Sequence, residues 1–388
     1  MDNVCSSLVH VISARIQSKT EGVLRIDQYE KALGFAQRQV LKLTNEHPNL
    51  RPCYTEQGKW DHQGDSWTNW CDGFPAGMMW LFYEMTQDAS WKNKAIDYSK
   101  LIIGREYDRD VHDLGFLFWS SWKRWFDLLG DYEAKEVVLQ AGRTQALRFQ
   151  ESGRYLASFI GKNSTFIDIM MNVGIIFYAA AEDGDQDLQN IALQHCMTTR
   201  RYLVRGDGST AHEGIFSDAG EFLREGTHQG WRSDSSWARG QAWAIYGFGT
   251  AYSFTHDERF LATAEQCADF YLERTPGHGI PPNDWDEPSP ANLHESSAAA
   301  IAAGGFWRLA RLTQSHSKID SYKEIAFRIM DTLTGKGFLA IDDPNWDGIL
   351  LHGTYHENNG LGVNESVMWG EYFFVETLSE MLKELRSS

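Results

Sequence analysis

Basic residues are scarce in this chain: 36 Lys and Arg stand against 53 Asp and Glu, a net charge of −17. That deficit argues against nucleic acid and anionic membranes as bulk partners, because a phosphate backbone requires a basic stripe. An anionic ligand would need a local cluster of cations. Cysteine is sparse too. Cys5, Cys53, Cys71, Cys196 and Cys267 are odd in number, widely spaced and without a CxxC pair, so neither a disulfide framework nor a zinc site is expected. No apolar run approaches the ~18 residues a membrane span requires. The first residues, MDNVCSSLVHVISARIQSK, place Asp2 ahead of and His10 inside the only apolar stretch and lack a basic n-region. They do not read as a signal peptide. A reduced, cytoplasmic protein is expected; a leader removed ahead of residue 1 would make it periplasmic. HExxH, P-loop, GxSxG and GxGxxG fingerprints are all missing, which removes support for zinc peptidase, NTPase, serine hydrolase and Rossmann readings. β-Branched apolar runs are scarce, and no stretch reads as a parallel βαβ array.

Aromatic residues are abundant: 15 Trp, 15 Tyr and 21 Phe in 388 residues. Flat amphipathic rings are surfaces on which sugars stack, although helical cores use them as well. The stronger signal is a repeat. Six segments share an acidic or polar start followed by a run of small and aromatic residues: Asp72–Asp88, Asp113–Asp131, Asp168–Asp185, Ser236–Asp257, Glu295–Ser315 and Glu365–Leu382. They are apolar nearly all round, with Gly and Ala permitting close approach, and such helices belong inside a structure. Between them lie more charged, amphipathic helices, most opened by an Asp suited to N-capping. IDQYEKALGFAQRQVLKLTNEH supplies the sixth outer member. Six buried helices alternating with six half-exposed ones predict an all-α fold, an (α/α)6 barrel, as a single domain over residues 1–388. A superhelical solenoid of helix pairs is the alternative. A small β-hairpin is expected around DAG in STAHEGIFSDAGEFLREGTHQ, Ser209–Gln229.

Alternation brings all inner-helix N-termini to one mouth. Asp72, Asp113, Asp168, the His228–Arg239 stretch, Glu295 and Glu365 stand at those starts, with Trp60, Trp67, Trp70, Trp231, Trp237 and Trp243 in or near the preceding loops. The mouth is therefore expected to be a carboxylate- and Trp-lined cup, with unpaired helix N–H groups favouring an anion. Asp is also the commonest N-cap, so each carboxylate has a purely structural reading. A helix N-terminus lowers a carboxyl pKa, whereas a general acid needs it raised by burial or a second carboxylate. Asp168, with apolar neighbours on both sides in STFIDIMMNVG, is the first candidate for such an acid. Asp72 in WCDGF ranks second, and Asp113, preceded by His112, reads as a support. His212 and His228 could contact substrate or simply serve as structural hydrogen-bonders.

These segments resemble the unsaturated glucuronyl hydrolases, glycoside hydrolase family 88, over nearly the whole chain. The resemblance rests on WTNWCDGFPAGMMW, HDLGFLFWSS, FIDIMMN, RRYLVRGDGS, GTHQG with SSWARGQAWAIYGF, and GVNESVMWGEYFFVE. It implies an (α/α)6 barrel that removes the terminal Δ4,5-unsaturated uronate from oligosaccharides left by polysaccharide lyases. The chemistry it implies is hydration of a vinyl ether: an Asp protonates C4, water adds at C5, and the hemiketal opens. By motif that Asp is Asp168 and its partner Asp72. The implied substrate site holds His212, Gln229, Trp237, Arg239 and Trp243, with Asp113 nearby and His228 and Trp67 in the same mouth. Arg239 and the histidines would meet the uronate carboxylate. No metal or organic cofactor is implied.

Some family members carry Ser and Lys residues that recognise sulfate in the loop before the last inner helix. Here that loop reads HGTYHENNGLGVNES, without Lys or Arg, which speaks against sulfate recognition by that route. Three rival readings stay open: an unsaturated rhamnogalacturonyl hydrolase, a sugar epimerase or isomerase on the same barrel, and a non-catalytic oligosaccharide binder. The outer helices show no apolar seam that fixes an oligomeric state.

Overall fold

The computed structural model describes residues 2–61, 66–288 and 294–387, with side chains from residue 22 and, after the first gap, from residue 67. Cys5 and His10 therefore lie outside the described side chains, as does part of the loop leading to Glu295. The inner helices are α2 (Phe74–Thr86), the broken helix α4 (Leu114–Phe118) to α5 (Arg124–Leu129), α7 (Ile169–Asp183), α9 (Ala238–Thr255), α11 (Ser296–Leu312) and α13 (Met368–Ser387). The outer ones are α1 (Asp2–Glu46), α3 (Ala89–Lys100), α6 (Tyr132–Ala146), α8 (Gln186–Tyr202), α10 (Glu258–Arg274) and α12 (His316–Leu333). Each inner helix packs on the next, and α13 packs back on α2, which closes the ring. Closure decides between barrel and solenoid.

Small residues make the ring tight. A Cβ on Gly247 of α9 would meet the Met170 backbone at 2.7 Å, and one on Gly73 would strike the Leu117 carbonyl. In α11 the run Ala298–Ala303 is wholly buried, which is why these helices lack a polar face. The second inner helix is not continuous, contrary to the expectation for Asp113–Asp131. A π turn spans Trp119–Lys123. There the hydroxyls of Ser120 and Ser121 donate to the carbonyls of Phe116 and Leu117, at 2.6 and 2.5 Å. Such bonds to the i−4 carbonyl compete with the helix ladder.

The expected hairpin is present as β4 (Glu213–Phe216) and β5 (Phe222–Gly226), extended by β3 (Ser164–Phe166) into an antiparallel three-stranded sheet with order β3-β4-β5. A two-stranded pair, β1 (Phe149–Gln150) and β2 (Tyr155–Leu156), lies outside it. A further hairpin, β6 (Gly353–His356) with β7 (Leu361–Glu365), forms where only a loop was expected. Glu365 consequently ends a strand and does not open the last inner helix, which begins at Met368. Its carboxylate accepts from Thr55 Oγ1 at 2.6 Å and from the Gln57 and Gly58 amides at 2.8 and 3.0 Å. No helix among the described residues is long and apolar enough to cross a membrane.

Candidate active site

The segments that precede the inner helices surround a cavity of about 570 Å³ at one end of the barrel. Asp113 and Asp168 sit in its wall, nearly buried at 8% and 9% exposure. Each occupies an N-cap position, yet neither side chain caps its helix. Glu295, at the start of α11, does cap: it accepts from the Ser297 and Ala298 amides at 3.2 and 2.6 Å. The structural reading thus holds for Glu295 and fails for the two aspartates, whose oxygens turn elsewhere.

Two histidines face those oxygens by the same device. His112 Nδ1 accepts the Phe159 amide at 2.9 Å, which places the ring hydrogen of the neutral form on Nε2. That atom lies 3.4 Å from Asp113 Oδ1. Burial pushes His112 down to about 3, so it stays a neutral donor. His212 Nδ1 accepts the His228 and Gln229 amides at 3.2 and 3.4 Å, and its Nε2 lies 3.6 Å from Asp168 Oδ2. The other oxygen, Asp168 Oδ1, is buried without a hydrogen-bond partner. Asn172 joins the two carboxylate positions. Its amide donates to Asp113 Oδ1 at 3.3 Å and to the Asp168 carbonyl at 3.2 Å, while its own oxygen accepts the Phe116 amide at 2.8 Å. Burial, and then the charge of Asp168, push Asp113 well above the ordinary carboxylate range.

Arg239 supplies the cup's formal cation. It is buried, lies over Trp237 at 4.3 Å and Trp369 at 4.8 Å, and donates to the carbonyls of Thr354 and Tyr355 on β6 and to Gln229 Oε1. These contacts fix the planar guanidinium against the cavity and orient Gln229 beside it. His228 lines the wall with Nε2 3.3 Å from Glu213 Oε2. Burial opposes ionisation of Glu213, but hydrogen bonds from His228 and Ser164 hold it below its usual value. Trp243 forms part of the floor against Phe116, at 5.0 Å between rings, and Trp67 stands at the lip, 40% exposed and 5.3 Å from the Tyr355 ring.

Of the residues expected here, Asp113, Asp168, His228, Gln229, Trp237, Arg239, Trp243 and Trp67 line one cavity, with His212 directly behind it. Asp72 does not line it. Its Oδ2 is held by Arg51 Nε and Arg105 Nη1, both at 3.2 Å, so the carboxylate beside Asp168 is that of Asp113. Burial raises Asp72, with both arginines pulling against it. Trp60 and Trp231 also point elsewhere: Trp60 donates to the Asp347 carbonyl, and Trp231 stacks under Arg232. Tyr355, His356 and Asn359 of the second hairpin line the cavity and were not anticipated. Nor was a role for Asn172, although its position one helical turn after Asp168 is visible in FIDIMMN. Among the described residues no three His, Cys, Asp or Glu side chains are grouped as metal ligands.

The closed helical barrel thus carries at one end a ring-walled cup with two carboxylates in its wall. No family model matches the chain. It is 30% identical over 359 residues to an unsaturated glucuronyl hydrolase of Bacillus sp. (strain GL1), covering 89% of this chain and 94% of the relative. It is also 30% identical over 329 residues to an unsaturated chondroitin disaccharide hydrolase of Streptococcus pyogenes, covering 82% of each. Among solved structures, the Bacillus sp. GL1 enzyme superposes with a TM-score of 0.85 at 28% identity, covering 91% of this chain and 96% of that one. A Streptococcus agalactiae unsaturated glucuronyl hydrolase mutant complexed with dGlcA-GalNAc6S gives 0.78 at 26% identity, covering 92% of each. The chain belongs to the unsaturated glucuronyl hydrolase family.

Proposed function

We propose that the chain removes the non-reducing-end Δ4,5-unsaturated uronic acid from lyase-generated acidic oligosaccharides such as those from glycosaminoglycans. Asp168 is the proton donor to C4. The observation that carries this is the placement of its carboxyl: it stands in the cup wall, makes no cap bond to its own helix, and has the His212 ring 3.6 Å from Oδ2. Asp113, and not Asp72, is the second carboxylate. The Asp168 carboxyl gives its proton to C4, which leaves its carboxylate facing the cation that develops at C5. Water adds there and returns a proton to that carboxylate, and the resulting hemiketal opens to release the leaving sugar. A vinyl ether requires one well-placed acid and a held water, so the carboxylate spacing that separates retaining from inverting glycosidases has no bearing here.

His212 and His112 orient the two acids through their Nε2 hydrogens. Arg239, aided by Gln229 and His228, meets the uronate carboxylate, which answers how a chain of net charge −17 binds an anion. Trp237 and Trp243 contact the buried sugar, and Trp67 at the lip stacks on the leaving one. The chain acts as one catalytic domain over residues 1–388. The four described cysteines, all buried and free, support work in a reducing, cytoplasmic compartment. The test is optical. Mixing with lyase-generated disaccharides bleaches the ultraviolet band of the conjugated double bond. An unchanged band across chondroitin, hyaluronan, heparin, alginate-type and ulvan digests refutes the reading, and turnover confined to pectin digests reassigns the enzyme to rhamnogalacturonyl substrates.

A further inference from the structure

A second cavity, of about 800 Å³, lies on the outer wall of the barrel between the C-terminal half of α8, α10 and the turns that join β1 to β2 and β4 to β5. Four arginines line it, Arg154, Arg200, Arg201 and Arg205, and no carboxylate does. This stands against the chain as a whole, in which acids outnumber bases by 53 to 36 and arginines such as Arg25, Arg124, Arg143 and Arg274 are paired with carboxylates. Only Arg205 of the four has such a partner: Glu225 at 2.7 Å, alongside bonds to Thr210 and Ser235 carbonyls that anchor it to the mouth segments. Arg200 is held through Nε by Thr263 Oγ1 at 2.9 Å and makes no ion pair at salt-bridge distance among the described residues, although its charge is felt by Asp257 at the start of α10. Arg201 lies over the Tyr202 ring at 4.9 Å, and Arg154 is exposed on the β1–β2 turn.

Arginines at the end of α8 suit the helix dipole, and that alone would account for Arg200 and Arg201. It does not account for Arg154 and Arg205, which arrive from two other segments. We propose that this groove is a second binding site, separate from the mouth, for the carboxylate or sulfate groups of an acidic saccharide chain. Guanidinium forks bind both anions bidentately. Beside them the groove offers the amide of Gln194, which suits sugar hydroxyls, while the Tyr202 ring, covered by Arg201 and stacked on Phe222, braces the wall. A long polyphosphate would run from the groove across a strongly acidic surface, whereas a saccharide with spaced charges need not. The choice of a saccharide rests on the hydrolase reading of the mouth; the anion site rests on the arginines.

The experiment titrates the full-length protein calorimetrically with an acidic hexasaccharide whose non-reducing end is saturated, so that it is no substrate. The comparison protein carries Arg154→Gln and Arg201→Gln, with circular dichroism as the check on folding. We expect saturable binding that weakens roughly tenfold or more in the double variant, as two lost charge-assisted contacts require. Turnover of an unsaturated disaccharide should be the same in both proteins. Equal binding by the two proteins, or none by the wild type, overturns the proposal. Displacement by inorganic sulfate at the concentration of the hexasaccharide also overturns it, by reducing the groove to a small-anion site. If the hydrolase reading itself fails, disaccharide turnover is absent from both proteins while arginine-dependent binding still reports on the groove.

Discussion

The starts of the inner and outer helices use the same residue to opposite ends. Asp88, Asp131, Asp185 and Asp257 open outer helices and accept amide hydrogens from the first turn. Asp113 and Asp168 open inner helices and accept none from theirs. On the outer surface water surrounds the carboxylate, and the cap is its best partner. At the mouth, His112 and Asn172 face the Asp113 carboxylate and the His212 ring faces that of Asp168, in the wall of a cavity. An aspartate at a helix start is therefore a cap by default and becomes available for other chemistry only where its surroundings leave the cap unmade.

The largest effect that can break this contrast is at Asp168. Asp168→Asn should lower kcat/KM by about 10³-fold or more with the fold intact, the loss expected when an acid and its charge are both removed. A variant with near-normal rates would remove Asp168 from the mechanism. Asp113→Asn should cost about 10²-fold or more in the same steady-state assay. It should also change stability with a definite sign. The folded pKa of Asp113 is raised, so the stability it contributes is whole below the unfolded value and is lost as pH rises through the folded one. The asparagine variant should therefore gain melting temperature relative to wild type at pH 7 and not at pH 3; the reverse order would show that Asp113 is not a strained acid.

Asp72→Asn sharpens the contrast from the other side. Bound between Arg51 and Arg105 outside the cavity, this buried aspartate should alter rate less than about tenfold, while loss of its two ion pairs lowers stability. Glu371 tests burial without catalysis. Desolvation pushes it up to about 8 while it accepts the Ile349 and Leu350 amides. Wild-type melting temperature should fall as pH rises toward and through 8, and Glu371→Gln should flatten that fall with unchanged kcat. Asp185→Ala, an outer cap, should cost about 1 kcal/mol of stability in denaturant melts and leave turnover unaltered.

Much of this was legible in the residues. The inner helices are apolar on every side and the outer ones amphipathic, so their alternation fixed both the count and the mouth. The DAG hairpin followed from turn chemistry. Less visible was the second hairpin, because GTYH and LGVNE are short, carry two glycines and pair across a tight turn. The π turn was hidden as well, since its cause, two serine hydroxyls reaching back to carbonyls, leaves no mark on hydrophobic periodicity. At the site, motif and position pointed to Asp168, Gln229, Trp237, Arg239 and Trp243, all of which line the cup. Asp72 stands at a helix start beside Trp70, as Asp113 stands beside His112, and only Asp113 lines the cup. The two starts look alike along the chain.

By itself the sequence determined an all-helical double ring, an acidic and aromatic mouth, and the residues able to work there, because helical periodicity and helix ends are local properties. Which two carboxylates meet, which nitrogen of each histidine faces them, and which arginines are left without acids were decided by the tertiary structure alone. Burial and pairing depend on segments far apart in the chain, and a side chain's chemistry follows from the neighbours that folding gives it.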